Sequence, residues 1–287
     1  MLTFTNQAAL SYRNRVRYSN LTTGQIADAL TVTKEALTGT YGPEDDVTYV
    51  VTLTNNGAAA ITGLTVTDDL GGYVFGENTL YPLAYVENSL RFFVNGEAQP
   101  APTVVPGPPL SVSGVSVPAD GNAMLIYEAA VTEYADPSET GSITNTVTVL
   151  GASLTAPVTA SAAISAENGP ELSIAKALSP EAVGADRLVT YTFTIENEGN
   201  AATAAEDDVI VTDTFDPALT DIAVTLNGAP LTAGDDYTYD EAAGAFATVA
   251  GALSVPAATF TQDATTGVYT AEPGEAVLTV TGTIGTV

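Results

Sequence analysis

The chain has 287 residues, contains no cysteine and no histidine, and carries a formal net charge of −27 at pH 7. The missing side chains exclude thiol and imidazole nucleophiles, disulfide bonds and the usual zinc ligands, so we do not expect an enzyme. The negative charge repels nucleic acid and anionic membranes, whereas an apolar content of 45% is high enough for a folded protein.

The N-terminal segment, residues 1–28, lacks the charged start and continuous apolar core of a signal peptide. Its alternating pattern predicts a strand or hairpin arm. Arg13, Arg15 and Arg17 follow one another at strand spacing in a chain that is otherwise acidic, which predicts that they share one face of the arm. These arginines are expected either to guide docking onto a negatively charged neighbour or to protect an exposed sheet edge from mispairing.

The rest of the chain contains two copies of one repeat, with a period of about 140 residues. Three segments recur in the same order: LTVTKEAL and LSIAKALS, VTYVVTLTNNG and VTYTFTIENEG, and LTVTDDL and VIVTDTF. Lys34 of the first copy therefore matches Lys176 of the second copy, and Asp68 matches Asp213. The match indicates that the two halves share one fold.

Each copy reads as short alternating segments separated by turn sequences such as TNNGAA, VNGE and PADGN. This pattern is typical of antiparallel β-sandwiches. The predicted fold class is therefore all-β, with two tandem immunoglobulin-like β-sandwich domains plus an N-terminal donor strand or hairpin arm. The predicted boundaries are 1–28 for the arm, 29–168 for domain 1 and 169–287 for domain 2.

Domain 2 is predicted to lack its terminal hairpin. Its last recognisable strand, AVLTVTGTI, corresponds to MLIYEAAV of domain 1, which continues with SITNTVTVLG and one further strand. The arm sequence FTNQAALSY resembles this continuation. We expect residues 2 to about 19 to supply the missing strand, either within the same chain or, as topology and reach favour, in a neighbouring copy. Insertion between copies joins two different surfaces and therefore produces a filament.

Strand parity points three polar side chains towards each predicted core. They are Lys34, Asp68 and Asn145 for domain 1, and Lys176, Asp213 and the arm residue Asn6 for domain 2. The arm residues in phase with Asn6, and therefore expected to dock, are Phe4, Ala8 and Leu10.

Burial lowers the pKa of an amine and raises that of a carboxyl group, so a buried pair of this kind can become neutral. A neutral amine can attack a neighbouring Asn carboxamide and release ammonia, which leaves an isopeptide bond without any cofactor. The alternative is a buried ion pair that is hydrogen-bonded to the asparagine.

The order K…VTYxxxxxNxG…VTD…ITN resembles the isopeptide-forming domains of Gram-positive pilins and collagen adhesins, and the related Ig-like repeat of bacterial surface proteins. The resemblance covers most of both repeats. In that family a lysine on the first strand joins an asparagine on the last strand, assisted by an acidic residue. The resemblance implies a Lys34–Asn145 bond within domain 1 and a Lys176–Asn6 bond between subunits. The acids that it assigns are Asp68 and Asp213.

Acidic clusters occur at Glu44–Asp46, Glu206–Asp208 and Asp235–Asp236. Carboxylates are calcium ligands, but no EF-hand spacing is present, and a solvated acidic surface is the favoured interpretation. We therefore expect no cofactor and no metal.

The leading hypothesis is a structural subunit of an extracellular filament, of the pilus, fimbria or spore-appendage type, whose partner is another copy of itself. The spore version is consistent with the missing signal pattern, because a protein assembled in a mother cell that later lyses needs no export signal. No apolar run is long enough for membrane insertion. The alternative is a monomeric cell-surface adhesin or stalk, with its arm folded back and an unknown host or matrix ligand. A glycosidase is least favoured, because nothing brings a catalytic acid and base into one cleft.

Overall fold

The computed structural model describes residues 2–26 and 29–285, and it confirms the all-β prediction. Within these residues the single helical element is the 3-10 turn Ala205–Asp207. No helix in these two ranges is long and apolar enough to cross a membrane. Residues 1, 27 and 28 of the predicted arm lie outside the described ranges.

The chain divides into two compact units. Unit 1 consists of Met1–Ala135 and Ser142–Ser165, and unit 2 consists of Asp136–Gly141 and Ala166–Val287. The short segment Asp136–Gly141 thus belongs with the second unit, although it precedes the last two strands of the first. The predicted boundaries of the arm and the two domains, 1–28, 29–168 and 169–287, stay a prediction.

The N-terminal arm is a long hairpin. Its strands are β1 (Leu2–Asn6), β2 (Ala9–Tyr12), β3 (Arg15–Tyr18) and β4 (Thr22–Ile26). β1 pairs with β4 and β2 pairs with β3, both antiparallel, and in the described structure each of these sheets has two strands only. Positive φ angles of 46° at Arg13 and 66° at Asn14 form the tight connection, as in the two-residue turns that match strand twist.

The apolar side chains of the arm remain exposed, including Phe4, Leu10 and Tyr18. The ring of Phe4 lies over Gly24 on the opposite strand, where a Cβ atom would meet the ring at 2.3 Å. A larger residue at position 24 would therefore displace the exposed Phe4 ring. An isolated two-stranded hairpin is marginally stable in water.

Unit 1 continues as a sandwich of two sheets. Its strands are β5 (Leu30–Ala36), β6 (Thr40–Tyr41), β7 (Asp46–Asn55), β8 (Ile61–Asp68), β9 (Tyr73–Phe75), β10 (Asn78–Leu80), β11 (Leu83–Tyr85), β12 (Arg91–Val94), β13 (Glu97–Gln99), β14 (Thr103–Val105), β15 (Leu110–Val117), β16 (Gly121–Val131), β17 (Ser142–Leu150) and β18 (Val158–Ala166). The first sheet has the order β13-β12-β16-β7-β5, with β11 also paired to β16, and the second sheet has the order β14-β15-β8-β17-β18-β6. β9 and β10 form a separate hairpin.

The core of unit 1 lies between these two sheets. Burial alternates along the strands, so that Tyr49, Val51 and Leu53 of β7 face inward together with Leu64 and Val66 of β8. Each fully buried aliphatic side chain stabilises the fold by about 1.5–3 kcal/mol. In the second sheet β8 is an interior strand, paired with β15 at one edge and with β17 at the other.

Unit 2 repeats part of this plan. Its strands are β19 (Leu172–Ser179), β20 (Leu188–Asn197), β21 (Thr212–Thr214), β22 (Leu219–Leu226), β23 (Ala229–Pro230), β24 (Tyr237–Asp240), β25 (Ala245–Thr248), β26 (Thr259–Gln262), β27 (Tyr269–Glu272) and β28 (Gly274–Ile284). They form sheets of order β19-β20-β28-β22-β23 and β21-β25-β24, with β26 and β27 as a hairpin. A cluster that includes Phe193, Phe215 and Leu278 forms the core.

One side of unit 2 is uncovered. By the repeat match, β19 corresponds to β5 and β21 corresponds to β8. Whereas Leu30 of β5 is 2% exposed, its counterpart Leu172 is 39% exposed and Ile174 is 57% exposed. β21 pairs with β25, and no strand within residues 2–26 and 29–285 pairs with its other edge. The position that β17 fills in unit 1 is therefore open in the described part of unit 2.

Candidate functional site

The three polar residues that parity assigns to the core of domain 1 come together inside unit 1. Lys34 lies on β5 of the first sheet, whereas Asp68 and Asn145 lie on the neighbouring strands β8 and β17 of the second sheet. All three side chains are buried, and β17 also contacts β5 across the sandwich. A bond between Lys34 and Asn145 would therefore connect the two sheets.

Lys34 and Asp68 form a buried ion pair, with 2.6 Å between Nζ and Oδ2. The ammonium also lies 4.7 Å from the centre of the Tyr49 ring. Burial lowers the pKa of Lys34, and the charge of Asp68 and its hydrogen bond oppose this effect without cancelling it. The lysine is thus shifted towards its neutral, nucleophilic form.

The carboxylate of Asp68 has two further donors. The hydroxyl of Tyr127 donates to Oδ2, and the backbone N–H of Leu70 donates to Oδ1 over 2.8 Å. Burial raises the pKa of Tyr127, and the nearby charge of Asp68 raises it further. Tyr127 is thus held as a neutral donor on the acid. Sequence reasoning missed this residue, because its position depends on the pairing of β16 with β7.

Asn145 differs from its neighbours because its side chain is fully buried and neither polar atom of its carboxamide has a hydrogen-bond partner among the described residues. The hydroxyl of Tyr49 is unpartnered in the same sense. Burial raises the pKa of Tyr49. An unpaired buried polar group costs about 1–3 kcal/mol. The carboxamide is therefore the least satisfied group of the cluster.

Asp69 fixes the strand that carries Asn145. Its Oδ1 accepts hydrogen bonds from the backbone N–H groups of Thr146 at 2.8 Å and Gly71 at 3.0 Å. The N–H of Asp69 donates to the carbonyl of Thr146 over 3.0 Å. The end of β8 is thereby tied to β17 directly beside Asn145. Sequence reasoning did not assign a role to Asp69.

Unit 2 repeats the lysine and its acid in an open setting. Lys176 of β19 forms an ion pair with Asp213 of β21, and the two side chains are 42% and 17% exposed. The ammonium lies 4.6 Å from the centre of the Tyr191 ring, which is the repeat counterpart of Tyr49. The same arrangement of lysine, acid and tyrosine is present, but solvent reaches it.

The two sites differ in the tyrosine that faces the acid. In unit 1 Tyr127 is paired with Tyr49 across β16 and β7. In unit 2 the corresponding pair is Val280 with Tyr191, across β28 and β20. Among the described residues, the hydroxyl that holds Asp68 therefore has no counterpart at Asp213, whose Oδ1 accepts a hydrogen bond from the N–H of Thr214.

A second repeated asparagine has a structural role. Asn55 is buried, and its Nδ2 donates to the carbonyls of Ala59 and Pro118, both at 2.9 Å, while its Oδ1 accepts from the N–H of Gly57 at 2.9 Å. Its counterpart Asn197 makes the equivalent set of bonds. These carboxamides have partners for both polar atoms, in contrast to Asn145.

The predicted docking residues lie on the exposed hairpin. Phe4, Asn6, Ala8 and Leu10 are all exposed. A single chain does not test the predicted Lys176–Asn6 bond, which stays a prediction.

The three arginines lie at the tip of the same hairpin. Arg15 and Arg17 lie on β3 and are exposed. Arg13 lies in the turn with a positive φ angle, so the expected strand spacing does not extend to it. The structure therefore corrects the prediction that all three arginines share one strand face.

The acidic clusters act as turn caps. One carboxylate of each cluster accepts a hydrogen bond of 2.7 Å from a nearby backbone N–H, and the pairs are Asp45 with Gly42, Asp207 with Ala204, and Asp236 with Thr232. Among the residues that the structure describes, no group of three or more acidic side chains could hold a metal ion. Turn formation therefore gives these clusters a structural explanation.

No family model and no curated protein sequence matches the chain. Among solved structures, it is similar to the full-length RrgB pilus protein of Streptococcus pneumoniae, with a TM-score of 0.34, 10% identity, and coverage of 88% of this chain and 41% of that one. It is also similar to ACE19, the collagen-binding subdomain of the Enterococcus faecalis surface protein ACE, with a TM-score of 0.30, 8% identity, and coverage of 48% and 99%.

A third similar structure is a family 123 glycoside hydrolase from Clostridium perfringens, with a TM-score of 0.31, 10% identity, and coverage of 48% of this chain and 27% of that one. The chain thus spans less than half the length of the pilus protein and of the hydrolase.

Proposed function

We propose that the chain is a non-enzymatic structural subunit of an extracellular filament, in which the arm of one copy completes unit 2 of the next. The observation that carries the proposal is the uncovered face of β19 beside the free edge of β21. The same molecule presents an exposed hairpin whose sequence resembles the strand that fills this position in unit 1. The proposed location is a cell or spore surface, and the partner is another copy of the chain.

Leaving this position open has two energetic costs, which are exposed apolar side chains and a free strand edge. Leu172, Ile174 and Leu178 of β19 are exposed, and covering apolar surface stabilises by about 25 cal/mol per Å². The outer edge of β21 pairs with no strand within residues 2–26 and 29–285, and a free strand edge is a template for another strand. A strand inserted there would satisfy both, as strand addition does in other complexes. Because the arm and the open position are different surfaces, the contact propagates from copy to copy.

The buried cluster of unit 1 supports an internal isopeptide bond. A proton passes from Lys34 to Asp68, which leaves a neutral amine. Nζ attacks Cγ of Asn145 while the protonated acid donates to the carboxamide oxygen, and the new C–N bond forms as the bond to the amide nitrogen breaks. That nitrogen takes the amine proton and leaves as ammonia, so the product is lighter by one ammonia. The unpaired carboxamide, the ion pair and the lowered pKa of Lys34 support this step.

The same chemistry is proposed for the junction. Lys176 and Asp213 would supply the amine and the acid, and Asn6 of the inserted arm would supply the carboxamide. Lys176 is 42% exposed in the free chain, so water reaches its side chain. Insertion of the arm would exclude this water, so the covalent bond would follow assembly. No cofactor is required.

The proposal is tested on the purified full-length chain. Negative-stain microscopy is expected to show filaments, and boiling in denaturant followed by electrophoresis is expected to leave a ladder. Mass spectrometry of the bands is expected to find a Lys34–Asn145 peptide and a Lys176–Asn6 peptide. Monomers without filaments, each lighter by two ammonias, would instead support the adhesin or stalk with its arm folded back. Filaments that boil to unmodified monomers would remove the crosslinks and leave strand insertion.

A further inference from the structure

We infer that the arm of a second copy pairs antiparallel with the free edge formed by β21 and the preceding residues 209–211, in a single register with Ala8 opposite Asp213 and Leu10 opposite Val211. The inference rests on the proposed function and specifies its junction. It identifies the donor strand, its direction and the acceptor residue that faces each position.

The register follows from the way β17 pairs in unit 1. There Val147 lies opposite Asp68, and Val149 lies opposite Val66. β17 is thus the strand that covers the site beside β8 and delivers Asn145 to the lysine. The acceptor side of this pairing is conserved in unit 2, because VIVTD of unit 2 aligns with LTVTD of unit 1.

The donor side is conserved in the arm. The segment FTNQAAL aligns with ITNTVTV of β17, with Asn6 at the position of Asn145. The hairpins differ in length by one residue, because Asn145 pairs with Ala162, 17 residues later, and Asn6 pairs with Thr22, 16 residues later. The second strand of the arm would therefore take the position of β18. The arm enters as a preformed hairpin, and β1 and β4 stay paired.

The position of the hairpin tip places its charges beside an acidic segment in this register. In unit 1, Gly151 at the end of β17 lies against Leu64, because a Cβ on Gly151 would meet the Leu64 side chain at 2.6 Å. By alignment, Tyr12 replaces Gly151 and Val209 replaces Leu64. The hairpin tip therefore falls beside the residues that precede Val209, which are Glu206, Asp207 and Asp208.

Residues 2–26 contain three arginines and no acidic residue, in a chain whose net charge is −27. The three acidic residues before Val209 are exposed. Opposite charges at an interface steer association and disfavour shifted pairings. A shift by one residue would also turn the apolar face of the arm away from the core. Packing and charge thus select one alignment.

Cysteine pairs provide a direct test, because the native chain has no cysteine. The register places Ser11 opposite Ile210 and Ala9 opposite Thr212, and all four side chains are exposed in the free chain. The in-register double variants are S11C/I210C and A9C/T212C. The matched out-of-register variants combine the same four substitutions as S11C/T212C and A9C/I210C.

Each variant is assembled, checked for filaments by negative stain, oxidised mildly and digested, and the disulfide-linked peptides are quantified by mass spectrometry. A two-residue shift separates the partners by about 7–8 Å, beyond disulfide reach, so the in-register pairs are expected to exceed the others by about tenfold. Filaments with equal or reversed yields would overturn the register and leave the proposed function intact. The absence of filaments in all four variants and in the native chain would overturn both.

Charge reversal tests the tip contact in the same filaments. The arm variant R13E/R15E/R17E is expected to lengthen the polymerisation time about tenfold or more at low salt, since electrostatic steering changes association rates by about 10–10³-fold. The compensating change E206R/D208R on the acceptor is expected to restore the rate, and it leaves the turn-capping Asp207 in place. Equal rates for all of these chains, or a loss that the acceptor change deepens, would contradict the contact.

Discussion

The hydroxyl of Tyr127 donates a hydrogen bond to the carboxylate of Asp68, which is also the ion-pair partner of Lys34. The tyrosine therefore shares the acid with the lysine in the interior of unit 1. In unit 2 the corresponding position is Val280. The two sites thus have the same lysine and acid, but within the described residues only the acid of unit 1 accepts a hydrogen bond from a tyrosine. The effect of this hydrogen bond on stability can be measured.

Replacing Tyr127 by phenylalanine removes a donor from a buried carboxylate. We expect Y127F to lower the free energy of unfolding by about 1–3 kcal/mol, because the acid loses one of its partners. Y49F is the matched control, since the hydroxyl of Tyr49 has no hydrogen-bond partner in the described structure. Denaturant unfolding followed by circular dichroism measures both variants. A loss in Y49F as large as that in Y127F would contradict the assignment.

Replacing Asn145 by alanine is expected to prevent the internal crosslink. The intact mass of N145A should then lack the loss of one ammonia that the proposal gives for the native unit 1. N55A is the control, because Asn55 makes three hydrogen bonds to backbone groups at 2.9 Å and has no lysine to react with. N55A should lose stability but keep the crosslink. A native chain that shows no mass loss would refute the internal bond.

Removal of one member of the buried ion pair is expected to be strongly destabilising. In N145A/K34A, compared with N145A in which no internal crosslink forms, the carboxylate of Asp68 is left buried without its counter-ion, and the expected loss is about 3–5 kcal/mol of unfolding free energy. The exposed pair of unit 2 provides the comparison, since K176A should change the stability of the free chain by less than about 1 kcal/mol. Thermal unfolding of the unassembled chains distinguishes the two. Equal losses of stability on removal of Lys34 and of Lys176 would show that burial does not determine how much each ion pair contributes.

The lowered pKa of Lys34 predicts a pH dependence in N145A, where the amine stays free. Below its ordinary value of 10.5, the folded state binds fewer protons at this site than the unfolded state does. The free energy of unfolding should therefore rise with pH in the window between the lowered pKa and 10.5.

The measurement is chemical unfolding of N145A between about pH 8 and pH 10. Above this range the raised pKa values of Tyr49 and Tyr127 act in the opposite sense. Asp68 and Asp69 also face the amine and are present in every variant. The double variant N145A/K34M removes the titrating amine, so its slope should be smaller, and an unchanged slope would contradict the assignment.

Replacing Asn6 by alanine should separate assembly from covalent linkage. N6A filaments are expected to form by strand insertion but to dissociate on boiling in denaturant, because Lys176 then has no carboxamide to attack. N20A is the matched control in the same hairpin, since Asn20 lies outside the strand that is proposed to enter the site. Electrophoresis of boiled filaments gives the readout. A ladder that persists in N6A would show that another residue accepts the lysine.

Much of the fold could be predicted from the sequence. The alternation of apolar residues along β7 and β8 and the repeated segments around Lys34 and Lys176 are local patterns, and the structure places these residues in strands as expected. The burial of Asn145 also follows from parity within β17. These predictions succeed because a strand side chain is oriented by its immediate neighbours.

The remaining features depend on pairings between distant segments. Tyr127 reaches Asp68 because of the register of β16 on β7, and Asp69 reaches Thr146 because β8 and β17 lie side by side. No local pattern encodes either contact. The turn conformation of Arg13 was missed because its positive φ angle is imposed by closure of the hairpin on itself.

The ring of Phe4 over Gly24 has a consequence for the protein before it assembles. In the free hairpin, the largest apolar side chain of β1 already shields part of its surface against its own backbone. The free chain therefore exposes less apolar surface on its arm than the sequence of the arm implies. In the proposed insertion, β1 and β4 would stay paired while the Phe4 ring exchanged this contact for an intermolecular one, so the net affinity gained would be smaller than the newly covered area alone would give.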